Sequence, residues 1–288
     1  MPQRVLPSVS SLIHISRPQI AAQAALYSAL GAYLSGGLAG IFMWPVALAG
    51  VVVGLIVSFG FVINDYADLE LDRRSKPQRP LPLGELSSAE ALRLMLALAL
   101  GALVVALALP SALFLFACTN LVLAALYSFR LKRTVLLGNI AMASLNSSVL
   151  LFGALATGRI TTLVWAVAGM ALFYSLAQEV LYTVADMEGD AEGGIVTTAI
   201  YFGHGPTLQL FRALIVLAAL AALAPWWLTR TSPLYLLALL VCTIGPIMGY
   251  ILPLTMRAEA DAIRRACDAV AMVRGTSLIP LILLPVAG

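Results

Sequence analysis

The chain has 288 residues, 61% of them hydrophobic and only 11% charged, where a soluble domain carries roughly 25% charged residues. That balance excludes an ordinary soluble globular protein, and a formal net charge of +3 is too small to point to nucleic acid as a partner. The cysteines, Cys118, Cys242 and Cys267, lie far apart without metal-ligand spacing, so they read as buried apolar residues.

Met1 to Arg17 lacks a compact apolar core followed by a cleavage site, so no cleavable signal peptide is expected. No charged residue occurs from Pro18 to Asn64. Turn-like punctuation at Ser35-Gly36-Gly37 and Pro45 divides this run into spans at 19–39 and 44–65. The run from Leu94 to Phe129 is also uncharged. As a single helix it would reach about 54 Å, too long for one crossing of a roughly 30 Å hydrocarbon core. Pro110 and Ser111 split it into spans at 91–109 and 111–129. Further spans follow at 135–156, 161–185, 208–228, 234–255 and 264–286, the last interrupted by Asp268 and Arg274. The expected fold is all-α: one polytopic membrane domain over 1–288 with nine spans.

If the spans alternate, one side of the membrane collects every Lys and Arg except Arg159, Arg230 and Arg274. The positive-inside rule makes that side cytoplasmic. Four spans separate two acidic motifs, which suggests a parallel pseudo-repeat of halves at 15–133 and 134–256, with 264–286 as a final span.

The first motif is Asn64-Asp65-Tyr66-Ala67-Asp68-Leu69-Glu70-Leu71-Asp72. On a regular helix Asn64, Asp68 and Asp72 share one face. Asp186 and Asp190 repeat the spacing at the end of another span. Acids at the edge of the hydrocarbon are costly without a cation, so they mark a functional site. Hard oxygen donors of this kind suit Mg²⁺ carrying a phosphorylated substrate. Lys76 and Arg79 follow in a proline-stiffened loop, and Lys132 follows the fourth span. Acids for Mg²⁺ beside Lys and Arg form the combination that holds a diphosphate and stabilises it as it leaves.

Other residues carry blander readings. Asp65 points away from the expected metal face and reads as a local cap or hydrogen-bond acceptor. Glu188 reads as solvated, while Glu179 stands seven residues before Asp186 inside a span and is given no role. His14 and His204 have no partner in register. Basic residues at span ends such as Arg257, Arg264 and Arg265 read as topology signals.

Asn64 to Asp72 fits the NDxxDxxxD motif of the UbiA superfamily of intramembrane prenyltransferases, which the chain resembles. Arg79-Pro80-Leu81-Pro82-x-Gly84 is similar to its RPLPxG, and Asp186-x-x-x-Asp190 to its second motif, DxxxD. The resemblance runs from Arg17-Pro18 to the Gly193–Gly203 stretch. It implies a nine-helix bundle around a central cavity, a lateral opening to lipid, a cytoplasmic cap and Mg²⁺-dependent prenyl transfer from a diphosphate. Asn64, Asp68, Asp72, Asp186 and Asp190 would then coordinate Mg²⁺, and the four aspartates form the catalytic set. Lys132, Arg79 and Lys76 would bind the leaving diphosphate. Tyr66, Tyr174 and Tyr182 are possible cation-facing rings, with anchoring or packing an equal reading.

Two acceptors fit. The seven-residue step from Asp72 to Arg79, and Tyr127-Ser128-x-x-Leu131-Lys132 leading to Gly138-Asn139, resemble members that prenylate geranylgeranylglyceryl phosphate. Tyr182-x-x-x-Asp186 and the Gly194–Gly203 stretch resemble members that prenylate 4-hydroxybenzoate. The lipid-ether acceptor is favoured, with Arg17 expected to hold its anionic group. A cation-coupled transporter is the rival from another class, and a terpene cyclase of the same fold a third reading.

Overall fold

The computed structural model describes residues 9–230, 233–257 and 259–284. The first part of the segment read for a signal peptide (1–8) and the end of the ninth expected span (285–286) lie outside the described residues. The described residues form helices and no strand. Long apolar segments have this solution in lipid because a helix satisfies its own backbone hydrogen bonds.

A short helix, α1 (Val9–Ser16), leads to Arg17, whose left-handed backbone (φ 47°) turns the chain into α2 (Pro18–Ile41). The expected break at Ser35-Gly36-Gly37 is a kink inside α2, where Gly37 adopts φ 67° and ψ −162°. Arg159 Nε donates to the Ser35 carbonyl at 3.0 Å, and Ser35 Oγ donates to the Arg159 carbonyl at 2.7 Å. Local polar groups thus satisfy the loosened helix, which runs on to a turn at Phe42–Met43.

Next come α3 (Trp44–Ala67) and α4 (Leu69–Ser75). A capping box between Ser87 and Glu90 starts α5 (Ser88–Ala106), and Pro110 precedes α6 (Ser111–Phe129). A single 3₁₀ turn at Leu131–Arg133 leads to α7 (Leu137–Leu155), α8 (Thr162–Ala185), α9 (Met187–Glu192) and α10 (Thr198–Phe202). One crossing contains α11 (His204–Ala221) and α12 (Ala224–Thr229). Another runs from α13 (Pro233–Leu239) through two π-helical stretches to α14 (Leu252–Arg257).

Eight described helices are long and apolar enough to cross a membrane. The expected ninth span is α15 (Ala260–Thr276) and α16 (Leu278–Ile282), separated at Ser277. It falls short of the other eight because Arg264, Arg265, Asp268 and Arg274 interrupt its apolar character and the break shortens it. Along α5 the exposed Leu96, Leu100 and Val104 recur at helical spacing, as expected of a lipid-facing stripe. The protein is an integral membrane protein.

Both motif-bearing spans break the same way. Asp68, between α3 and α4, has φ −96° and ψ 3°; Asp186, between α8 and α9, has φ −95° and ψ 3°. Reciprocal close packing also joins α2 to α7. A Cβ on Gly153 would stand 1.7 Å from the Ser28 carbonyl oxygen, and one on Gly31 would stand 2.0 Å from that of Leu150. Small residues let helix backbones approach in this way where lipid offers no hydrophobic drive.

Gly153→Ala should therefore destabilise the bundle by about 1–3 kcal/mol or more, since backbone must move to admit the methyl. Gly169→Ala, with nothing within 4 Å of the added carbon, should be close to neutral. Thermal unfolding of the two variants in detergent checks this, and equal melting temperatures would contradict the packing.

Candidate active site

The chain needs counter-charge where α3 leaves the apolar core, because Asp65 and Asp72 are both buried. Arg79 supplies it: Nη1 lies 2.8 Å from Asp65 Oδ1 and 2.6 Å from Asp72 Oδ2. The loop after Arg79 is a run of tight turns. Leu83 N donates to the Arg79 carbonyl at 3.0 Å and Gly84 N to the Leu81 carbonyl at 3.1 Å. Gly84 takes φ 77°, a conformation that glycine adopts without steric cost. Buried Leu81 and Leu86 anchor the loop in the core.

A second ion pair joins Lys132 Nζ to Asp68 Oδ1, with Asn64 Oδ1 3.3 Å from the same nitrogen. Burial pushes the Lys132 ammonium down from its ordinary value, against the opposing pull of Asp68. The turn that carries Lys132 is tied to the second half of the chain. Thr198 Oγ1 accepts from Leu136 N at 3.0 Å and donates to Asn139 Oδ1 at 2.6 Å. Leu136 is held at φ 60°, which is uncommon for a residue with a side chain. Gly138 lets α7 pass close beneath, since a Cβ there would stand 2.6 Å from the Leu131 carbonyl oxygen.

The two motifs face one another. A Cβ on Gly193, just after α9, would stand 2.8 Å from Leu71 Cδ1 of α4. Burial pushes the Asp190 carboxyl up, and Asp186 adds to this while Lys76 opposes it. Lys76 itself is exposed and does not line the cavity.

Below the acids lies a cavity of about 550 Å³ lined by Arg17, Asn64, Arg79 and Tyr127 towards the motifs and by apolar residues such as Val53, Ile56 and Phe116. Arg17 lies 4.4 Å from the centre of the Phe61 ring, and its Nη2 is 3.4 Å from Asp65 Oδ1. Tyr174 and Tyr182 also line the cavity, while Tyr66 does not. Tyr174 donates its hydroxyl to the Val270 carbonyl at 2.6 Å, and the Tyr182 hydroxyl accepts from Gln178 Nε2 at 2.6 Å.

The acids divide between separate cations: Asp72 pairs with Arg79, while Asn64 and Asp68 meet Lys132. Asp65, read as a local cap or hydrogen-bond acceptor, does accept hydrogen bonds, but from Arg79 and Arg17 rather than from its own helix. The missed signal was its seven-residue distance from Asp72, which places both near one helical face. Among the described residues no three acidic, histidine or cysteine side chains converge as a ready cation cage. The donor set nonetheless suits a divalent cation. It is all hard oxygen, and the ammonium of Lys132 already sits as a cation between Asn64 and Asp68.

The model of the UbiA prenyltransferase family matches residues 24–272. The chain belongs to the UbiA prenyltransferase family. It is therefore a membrane-embedded prenyltransferase rather than a transporter. Among its relatives is the digeranylgeranylglyceryl phosphate synthase of Methanoculleus marisnigri, 37% identical over 225 residues, with 76% of this chain and 79% of that protein covered. A solved structure from work on digeranylgeranylglyceryl phosphate synthase in membranes has a TM-score of 0.78 at 25% identity, covering 96% of this chain and 98% of the other. A UbiA homologue from Archaeoglobus fulgidus, solved with DMAPP and Mg²⁺ bound, shares the fold with a TM-score of 0.66 at 20% identity, covering 91% of this chain and 99% of that one.

Replacing Arg79 by Met should leave Asp65 and Asp72 buried without their shared cation, at a cost of about 3–5 kcal/mol. Lys76→Met, at an exposed position, should shift stability by no more than about 0.5 kcal/mol. Melting curves without substrate separate the two, and a wild-type melt for Arg79→Met would rule out the counter-charge role.

Proposed function

We propose that the protein transfers a geranylgeranyl-type prenyl group from its diphosphate to geranylgeranylglyceryl phosphate, with Mg²⁺, at the cytoplasmic face of the membrane. The observation that carries this reading is the pair of facing acidic motifs above an apolar cavity, with Lys132 and Arg79 held between them. The relatives named as digeranylgeranylglyceryl phosphate synthases support the lipid-ether acceptor over an aromatic one. Gathering most basic residues on the motif-bearing side supports the cytoplasmic orientation.

In this reading Asn64, Asp68, Asp186 and Asp190 hold the metal. Asp72, with Asp65, acts through Arg79 and keeps the guanidinium over the cavity mouth. When bound, Mg²⁺ would supply positive charge that neutralises the diphosphate. The chain's own cations do the rest at the leaving group. Lys132 moves from Asp68 onto the diphosphate, Arg79 donates to it, and Lys76 approaches from outside near Asp190. Neutralising charge as it develops lowers the barrier to breaking the allylic C–O bond.

The apolar lining shelters the allylic cation from water and houses the isoprenoid tails. Tyr127, Tyr174 and Tyr182 present ring faces or hydroxyls to that space. Arg17, at the mouth, holds the acceptor's phosphate. The matching breaks at Asp68 and Asp186 support a pseudo-repeat of 15–133 and 134–256 as the origin of the facing motifs.

Asp68→Ala and Asp186→Ala should each lower Mg²⁺-dependent diphosphate release by at least about a hundredfold, the order seen for loss of one preorganised charge-stabilising group. Glu188→Ala, on an exposed side chain, should be nearly silent. Turnover at the wild-type rate in both aspartate variants would exclude the metal assignment. Product mass spectrometry with geranylgeranylglyceryl phosphate and with 4-hydroxybenzoate separates the acceptors: the ether is expected from the first, and product from the second alone would reverse the assignment.

A further inference from the structure

One charged pair inside the membrane region has no part in diphosphate binding. Glu179 lies on α8 and Arg274 on α15, and both line the cavity with Gln178, Tyr27 and Tyr182. No direct ion pair between them occurs among the described residues. Glu179 makes no hydrogen bond there either. Arg274 Nη1 reaches Gln178 Oε1 at 3.4 Å, and Arg274 Nε is buried without a partner. A carboxylate at this depth is costly, and packing alone gives no reason to keep one whose oxygens meet no donor.

Its register is informative. Glu179 precedes Asp186 by seven residues, which is about 10.5 Å deeper along the helix and within about 20° of the same face. Asp186 stands at the diphosphate. The reactive carbon of a bound prenyl diphosphate therefore points down the cavity towards Glu179. A negative carboxylate repels a phosphate and attracts a hydroxyl proton. With Arg17 at the mouth and Glu179 below, the cavity orients an acceptor with its phosphate outward and its hydroxyl inward.

Resting on the function proposed above, we infer that Glu179 is the general base of the transfer, with Arg274 as its counter-charge. The O–H bond of the free glycerol hydroxyl breaks, and its proton passes to the Glu179 carboxylate. The hydroxyl oxygen forms the new C–O bond to the prenyl carbon. The bond from that carbon to the diphosphate breaks, and its electron pair leaves with the diphosphate. Water and the diphosphate site need supply no further reactant.

The test compares wild type with Glu179→Gln and Glu179→Asp, using geranylgeranylglyceryl phosphate and its analogue with a thiol in place of the hydroxyl. Glu179→Gln should lower kcat with the hydroxyl acceptor by at least about a hundredfold, the usual reach of one general base. Its Kd for a prenyl thiolodiphosphate should stay within about threefold of wild type, and Glu179→Asp should recover part of the rate. A thiol ionises far more readily than an alcohol, so the thiol acceptor should narrow the deficit to less than about tenfold. Retention of kcat within about threefold in Glu179→Gln, or an equal loss with hydroxyl and thiol, would overturn the inference. Failure of the wild type to form any ether would instead remove the acceptor assignment on which it rests.

Discussion

A carboxylate at the edge of the hydrocarbon must be matched by a cation, and this requirement organises the active end of the protein. Asp65 and Asp72 are buried where α3 gives way to α4, and Arg79 bridges them. To bring that guanidinium back, the chain folds its proline-rich loop into consecutive turns and anchors it with Leu81 and Leu86. Across the cavity mouth Lys132 plays the same part for Asp68. The protein's own cations thus compensate Asp65, Asp68 and Asp72 without substrate, and the same cations suit a polyanionic leaving group. Stability and chemistry draw on one set of charges.

The rest of the bundle serves that arrangement. Reciprocal glycine contacts draw α2 and α7 together. The Thr198 joint fixes the turn that presents Lys132 from the far half of the chain. The cavity changes character with depth, from cations and amides at the mouth to mainly aliphatic and aromatic side chains below, where Glu179 and Arg274 are the charged exceptions. Such a gradient suits an amphiphile with a charged head and isoprenoid tail better than a small hydrated solute.

Much of this was legible in the sequence because lipid imposes strong rules. Charge-free runs such as Pro18 to Asn64 and the break at Pro110 located the spans to within a few residues. The spacing of Asn64, Asp68 and Asp72, and of Asp186 and Asp190, singled out two span ends that the fold brings together. Three features were not legible. The kink at Gly37 is an interruption that a partner loop stabilises, and the sequence shows the glycine but not Arg159 meeting Ser35. Asp65 was read as an acceptor, but helical periodicity could not show that the loop brings Arg79 back to it. The Thr198–Asn139 bond joins residues far apart in the chain, so periodicity could not reveal it.

Lys132 sits between Asn64 and Asp68, where the proposed function would place a divalent cation once substrate binds. Anomalous scattering from Mn²⁺ in crystals grown with a prenyl thiolodiphosphate tests it most directly. The expected map shows metal peaks between Asn64–Asp68 and Asp186–Asp190, with the Lys132 ammonium moved onto the diphosphate. Lys132 still paired with Asp68, and metal bound elsewhere, would contradict it.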